Sequence, residues 1–266
     1  MISRQAYRQL VARLCPVALA MLVIAAVTGS AGSVRAAGAT CTTRYTHLHD
    51  GGYTPGSTSV FGVSARIEFS NPDLCGTDAS TNVWSVVYAM VYDGNRYFAQ
   101  SGYGQWGGSV PQGPGNIPPG FHTFSQYTNA CYPASCGGGA PIVSTNWGPN
   151  PNQTETYTSK YISSASKIFI YHDSVILDTT SYNPLTVWSG VWEGQFDGET
   201  EDSDTDIVGT AADQTQLYNI QFFGPGGAAH FFSVVTPHVP DLPRYHVAKY
   251  SPTGGGTGLL LWTDPL

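Results

Sequence analysis

The chain has 266 residues, of which 11% are charged, with 18 acidic against 11 basic side chains and a formal net charge of −7. A surface this acidic argues against nucleic acid or an anionic membrane as partner. Few charges with plentiful Gly, Tyr, Thr and Ser is the composition of a strand-rich domain and not of a helical one.

The first element in chain order is a leader. Arg4, Arg8 and Arg13 precede an apolar stretch from Val17 to Val27, and small residues follow through Ala39. This is the layout of a secretory signal peptide over residues 1–39, cut after Ala39 or Ala36. The apolar run is 11 residues long, short of the roughly 20 that a spanning helix needs. Ala39-Thr40-Cys41 lacks the aliphatic residue of a lipid-attachment site, so the product reads as secreted and extracellular, with no membrane contact after cleavage. Losing the leader removes four basic residues and no acidic ones, which leaves seven against 18 and a net charge near −11. The remaining 227 residues fit one β-sandwich domain over 40–266.

Four cysteines outlast the leader, and an even count in an oxidising compartment predicts two disulfides with three connectivities to choose among. Cys131 and Cys136 are near neighbours in a Gly- and Pro-containing segment and are paired locally. Cys41 is then left to Cys75, closing a loop worth about 3–4 kcal/mol in the chain-entropy model.

Runs rich in Val, Ile, Tyr, Phe and Thr alternate with Gly/Pro/Asn/Asp clusters, the signature of strands and turns. The predicted strands are Ser59–Phe69, Val83–Tyr92, Arg96–Trp106, Phe121–Tyr127, Thr154–Ile162, Lys167–Asp173, Val187–Glu199, Gln214–Phe223 and Ala229–Val235, and no stretch has a helical period. Asp93-Gly94 supplies the positive φ of a hairpin turn, making the second and third of these antiparallel neighbours. A further hairpin turns at His172-Asp173, joining Lys167–Tyr171 to Val175–Asp178. Gly107–Gly120 and Cys131–Gln153 are long Gly/Pro/Asn-rich loops, of the kind that carry or cover sites. The tail 236–266 is rich in Pro and Gly, with Leu259–Trp262 as one last strand. The expected fold class is all-β, an antiparallel sandwich of the jelly-roll, concanavalin-like kind.

Nucleophile motifs are missing: there is no Gly-x-Ser-x-Gly elbow, and no cysteine is left free for a Cys/His pair. Ser164-x-x-Lys167 is a chance spacing in a Ser-rich stretch. His47-x-His49-Asp50 could turn two imidazoles to one face of a strand as metal ligands, but beside Gly51-Gly52 it reads as a solvated N-terminal segment. No metal and no cofactor is therefore expected.

Two strands carry more chemistry. The period-2 rule puts Phe98, Gln100, Gly102, Gly104 and Trp106 on one face, so that a polar side chain has two glycines beside it and open space for another polypeptide or a glycan. In Val187–Glu199 the rule aligns Glu193, Gln195, Asp197 and Glu199, with Trp192, Phe196 and Gly198 opposite. Carboxylates two residues apart lie roughly 7 Å from each other, so Asp197 and Glu199 should raise one another's pKa. The acidic segment Glu201–Asp206 that follows reads as a loop with oxygen donors but without EF-hand spacing.

These segments resemble the secreted β-sandwich family typified by neprosin, over about Phe61 to Phe223. Gly62-Val63-Ser64-Ala65 resembles its Gly-x-Ala opening strand, and Ala99-Gln100-Ser101-Gly102-Tyr103 its Glu-Ala-Gly-Trp strand. Phe121-His122-Thr123-Phe124 with Tyr127-Thr128-Asn129-Ala130-Cys131 resembles its aromatic strand and Gly-Cys turn. Phe196-Asp197-Gly198-Glu199-Thr200 falls where the family has Trp-Gly-Gly-Glu-Val, and Asp213-Gln214 echoes its Thr-Gln-Met. That family consists of glutamic peptidases with one Glu from each of two motifs. By position Glu199 matches the second, whereas the first is Gln100. A Gln/Glu pair, with the Gln before Thr-Gly, is the arrangement of the fungal glutamic peptidases, which Ala99-Gln100-Ser101-Gly102 also resembles.

The resemblance implies a secreted acid hydrolase acting on proteins or peptides, with Gln100 and Glu199 catalytic and Asp197, Gly102, Tyr127 and Trp106 supporting them. The alternative is a non-catalytic, lectin-like sandwich whose aromatic face binds polysaccharide or cell-wall material. A glycoside hydrolase fits less well, because position 100 offers no acid.

Overall fold

The computed structural model describes residues 44–265 except 58, 69, 76–82, 108–109, 113–114, 131–142, 145–152, 208 and 233. The leader, Cys41, Cys131 and Cys136 lie outside the described residues. Cys75 is buried and disulfide-bonded, with its backbone N–H on the Thr205 hydroxyl.

The strands in chain order are β1 (Arg44–Tyr53), β2 (Gly62–Glu68), β3 (Trp84–Tyr92), β4 (Phe98–Trp106), β5 (Val110–Gln112), β6 (Gly115–Ile117), β7 (Gly120–Tyr127), β8 (Val143–Ser144) and β9 (Thr154–Ile162). They continue with β10 (Lys167–His172), β11 (Val175–Thr179), β12 (Glu193–Asp202), β13 (Thr215–Phe223), β14 (Ala229–Phe231), β15 (Thr236–Pro237), β16 (Tyr245–Tyr250) and β17 (Gly258–Thr263). One sheet runs β15-β1-β12-β3-β4-β7-β8 and the other β11-β10-β9-β2-β13-β17-β16, with β14 on β13. All pairs within them are antiparallel, and the sheets pack face to face as a sandwich.

Strand alternation explains the packing. The inward residues of the first sheet include Leu48, Val87, Ala89, Val91, Ala99, Tyr103 and Phe196; they meet Val63, Ala65, Ile67, Tyr157, Ile168, Ile170, Leu217, Leu259 and Leu261 of the second in one core. The opposite face of β3, β4 and β7 holds a smaller cluster of Val86, Tyr88, Met90, Trp106 and Phe124. Strand β3 is thus buried on both faces, which is why it reads as a nearly continuous apolar run.

Several expectations are corrected. The Val187–Glu199 strand begins only at Glu193 and runs on to Asp202, taking in the start of the expected acidic loop. Before it lies a four-residue helix α1 (Pro184–Val187), with Pro at its start and the Asn183 side chain accepting the Leu185 N–H at 3.1 Å. The Asp93-Gly94 turn is wider than two residues: Asp93 Oδ1 accepts N–H groups from Asn95, Arg96 and Tyr97, and Tyr92 pairs with Phe98. The Gly107–Gly120 segment contains the β5–β6 ribbon. The tail carries three strands where one was expected, and the segment around His47 is the long strand β1.

Candidate active site

The outer face of the first sheet collects the polar residues. Register fixes their places: Gln100 pairs with Met90 and Gln126, and Met90 with Gln195. Two residues along, Gly102 and Asp197 flank Tyr88. Two further, Gly104 and Glu199 flank Val86, and His49 lies across from Glu199. Gln100 and Glu199 are therefore on one face but not level. In an untwisted sheet the offset is about 13 Å along the strands and about 10 Å across them.

A cavity of about 120 Å³ joins the two, lined by His47, Trp84, Val86, Gln100, Trp106, Phe124, Gln126, Glu199 and Glu201. At one end Gln100, 7% exposed, donates from Nε2 to Gln126 Oε1 at 2.8 Å. At the other end Glu199 is hydrogen-bonded to His47 Nδ1 and lies 3.7 Å from His49 Nε2. The His47 bond to Glu199 raises the pKa of this imidazole, against the opposing effect of burial. Burial of Tyr88, then the charges of Glu199 and Asp197, hold its hydroxyl protonated, with a pKa well above the usual range.

Asp197 faces a neighbouring cavity with Gln195, His49, His238 and Asp241. Its Oδ1 is 3.2 Å from His238 Nδ1. Burial, before anything else, raises its pKa; the facing His238 ring opposes this, and the charge of Glu199 adds least. The expected elevation of Asp197 is thus present, with desolvation and not its neighbour as the main cause.

The glycines do not leave open space. A Cβ on Gly102 would fall on the Val87 carbonyl and 2.7 Å from Tyr88 Cα, and one on Gly104 would fall 2.6 Å from a Val86 methyl and 2.7 Å from the Trp106 ring. They let backbone and ring approach closely. Trp106 lines the cavity, whereas Tyr127 packs against the inner core and edges the ring of Tyr182, away from Gln100.

Sequence reasoning missed that His47, His49 and His238 join the acidic row. The alternation of His47 and His49 was a signal for the first two; the partner carboxylate lies 152 residues away. Asp50 belongs to the other face of β1, is fully buried, and has its pKa pushed up to about 7 by burial and then by the charge of Asp197.

No protein-family profile matches the chain, and no curated protein matches it. Among solved structures the chain is similar to Scytalido-glutamic peptidase with a transition state analog inhibitor, at 10% identity over 82% of this chain and 98% of that one, TM-score 0.51. It is also similar to SCP-B, a member of the Eqolisin family of peptidases, in a complex with the tripeptide Ala-Ile-His, at 9% identity over 82% and 98%, TM-score 0.50. At such identity the likeness is one of fold, and the fold is that of the glutamic peptidases.

Proposed function

We propose that the chain is a secreted hydrolase of the glutamic-peptidase type that cleaves peptide bonds in the cavity between Gln100 and Glu199. The observation that carries this reading is the shared cavity: a carboxylate and a carboxamide, both largely buried, line the two ends of one recess on the outer face of the sheet. The register sets their Cα atoms about 16 Å apart in an untwisted sheet, so both side chains have to reach along the cavity toward a water and a scissile carbonyl held between them.

Glu199 as carboxylate takes a proton from the water, whose oxygen bonds to the carbonyl carbon. The Gln100 N–H donates to the oxygen on which negative charge develops, while Gln126 holds the orientation of the Gln100 amide. When the C–N bond breaks, Glu199 returns its proton to the departing nitrogen, giving a carboxylic acid and an amine. His47, hydrogen-bonded to Glu199, orients its carboxylate. The reading includes export behind a cleaved leader, one domain over 40–266, and the disulfides Cys41–Cys75 and Cys131–Cys136.

For the polysaccharide alternative, Trp106, Tyr88 and Phe124 on this face are 1–2% exposed and offer no ring to a sugar, which leaves the half-buried Trp84, Tyr92 and Phe98. The test is hydrolysis of denatured protein and peptides by the purified chain. Glu199→Gln should abolish turnover with the fold intact, and Gln100→Ala should slow it by roughly 10²–10³, the effect of losing one oxyanion donor. Absence of hydrolysis by the parent, or equal rates for parent and Glu199→Gln, would refute the assignment.

A further inference from the structure

His47 and His49 stand two residues apart on β1, and the register sets Glu199 across from His49. Their rings stack with centroids 6.0 Å apart. One ring nitrogen of each and a Glu199 oxygen all lie within 4.8 Å of one another. Zinc bonds of about 2.0–2.1 Å place tetrahedral donors roughly 3.4 Å apart, so closing the set takes shifts of about 1 Å. The imidazoles have freedom for that, being 49% and 38% exposed. A second carboxylate supports the same reading. His49 turns Nε2 toward Glu199 and Nδ1 toward Asp241 Oδ2 at 3.6 Å, and that oxygen is held by the His49 backbone N–H at 2.7 Å. An imidazole with a carboxylate at its far nitrogen is the arrangement that fixes tautomer and ring orientation at a metal centre. Two nitrogens and one oxygen suit zinc and its transition-metal neighbours better than calcium or magnesium. His47 and Glu199 also line the cavity, so an ion held by them would be open to it.

We propose that His47, His49 and Glu199 bind one zinc-class divalent cation, with Asp241 orienting His49, and that the bound ion withdraws Glu199 from hydrolysis. The second half rests on the proposed function: a carboxylate oxygen that ligates the ion is not free to take a proton from water. The metal-loaded chain is then the inactive form and the metal-free chain the active one.

The experiment is equilibrium dialysis of the full chain against Zn²⁺ alone at neutral pH, beside His47→Ala, His49→Ala, Asp241→Asn and the control His230→Ala. The parent and the control should bind one equivalent, either ligand variant should bind none at the same free zinc, and Asp241→Asn should lose about 10–100-fold in affinity. No binding by a parent that circular dichroism shows to be folded, or binding untouched in both histidine variants, overturns the site. In a peptide-hydrolysis assay, zinc should silence the parent and a chelator should restore it; an unchanged or higher rate with the ion bound overturns the withdrawal of Glu199. A chain that binds zinc yet cleaves no peptide with or without it sinks the proposed function, and the withdrawal with it, while the metal site stands.

Discussion

Replacing Gly102 by alanine tests whether the glycine beside Gln100 is there for closeness of backbones or for open space. The added Cβ would overlap the Val87 carbonyl and lie 2.7 Å from Tyr88 Cα and 2.8 Å from the Val87 carbonyl carbon. Ordinary carbon contacts begin near ~3.5 Å, so β3 and β4 must part locally by about 0.7 Å or more. A ladder bond of about 2.9 Å then passes the limit of useful geometry. Weakening the nearest ladder bonds, at about 1 kcal/mol net each, and overpacking a sheet buried on both faces together give a loss of about 2–4 kcal/mol. The assay is equilibrium unfolding in urea, with Gly226→Ala as control, because a Cβ there meets nothing within 4 Å. A Gly102→Ala variant within about 0.5 kcal/mol of the parent, the range of inconsequential surface changes, would refute the close-approach argument and restore the open-space reading.

Two further outcomes follow from the ion pairs. Burial raises the Glu155 carboxyl, but the ion-pair contact with His172 Nε2 at 2.8 Å, the hydrogen bond from the Tyr157 hydroxyl at 2.7 Å and the charge of His172 outweigh it and hold the carboxyl below its usual value of 4.5. A lowered folded pKa means stability present above pH 4.5 and lost as pH falls through the folded value, so the gap in denaturation midpoint between the parent and Glu155→Gln should be open near pH 6 and shut at low pH; a gap independent of pH contradicts this. His238→Ala removes the imidazole whose Nδ1 lies 3.2 Å from the buried Asp197 Oδ1 and should cost about 1–3 kcal/mol, the penalty for a buried polar group deprived of its partner, read by urea unfolding; no change would mean that this contact does not stabilise the carboxylate.

How much was legible in the sequence divides by distance along the chain. Alternation separated Phe196 and Trp192 from Asp197 and Glu199, and the first two are in the core while Glu199 lines the outer cavity, because parity is a local property that survives any tertiary arrangement. The start of β12 was misplaced because Val187, Val191 and Trp192 have strand-like composition, whereas Asn183-Pro184 caps a helical turn and Gly190 packs against the Asp93 backbone. The apolar spacing beside Gln100 was misjudged for a different reason: a glycine in a strand signals either a gap or a close approach, and only the neighbouring strand decides which. The level of Gln100 relative to Glu199 was likewise hidden, since it depends on two registers across β3. Strand β1 was lost among polar and glycine residues, its partner β12 lying more than a hundred residues on.

The tail is where sequence composition and structural role diverge most. Strand β12 aims Glu193, Gln195, Asp197, Glu199 and Glu201 outward at spacings of about 7 Å, in a chain that is already acidic, so the row needs cationic or donor partners to persist. Histidines meet it: His47 and His49 at Glu199, and His238 at Asp197. The Pro-rich segment that supplies His238 is tied to β1 by the β15 pairing and by the His238 N–H on the Gly51 carbonyl at 2.8 Å. The same segment brings Asp241 to the backbone and ring of His49. The tail therefore acts on Glu199 through β1, by orienting an imidazole that faces it. Imidazole suits this place better than lysine or arginine, because a neutral ring nitrogen accepts a metal ion and a protonated one donates to a carboxylate. An acidic strand partnered in this way can hold its carboxylates together on one face and still exchange what binds to them.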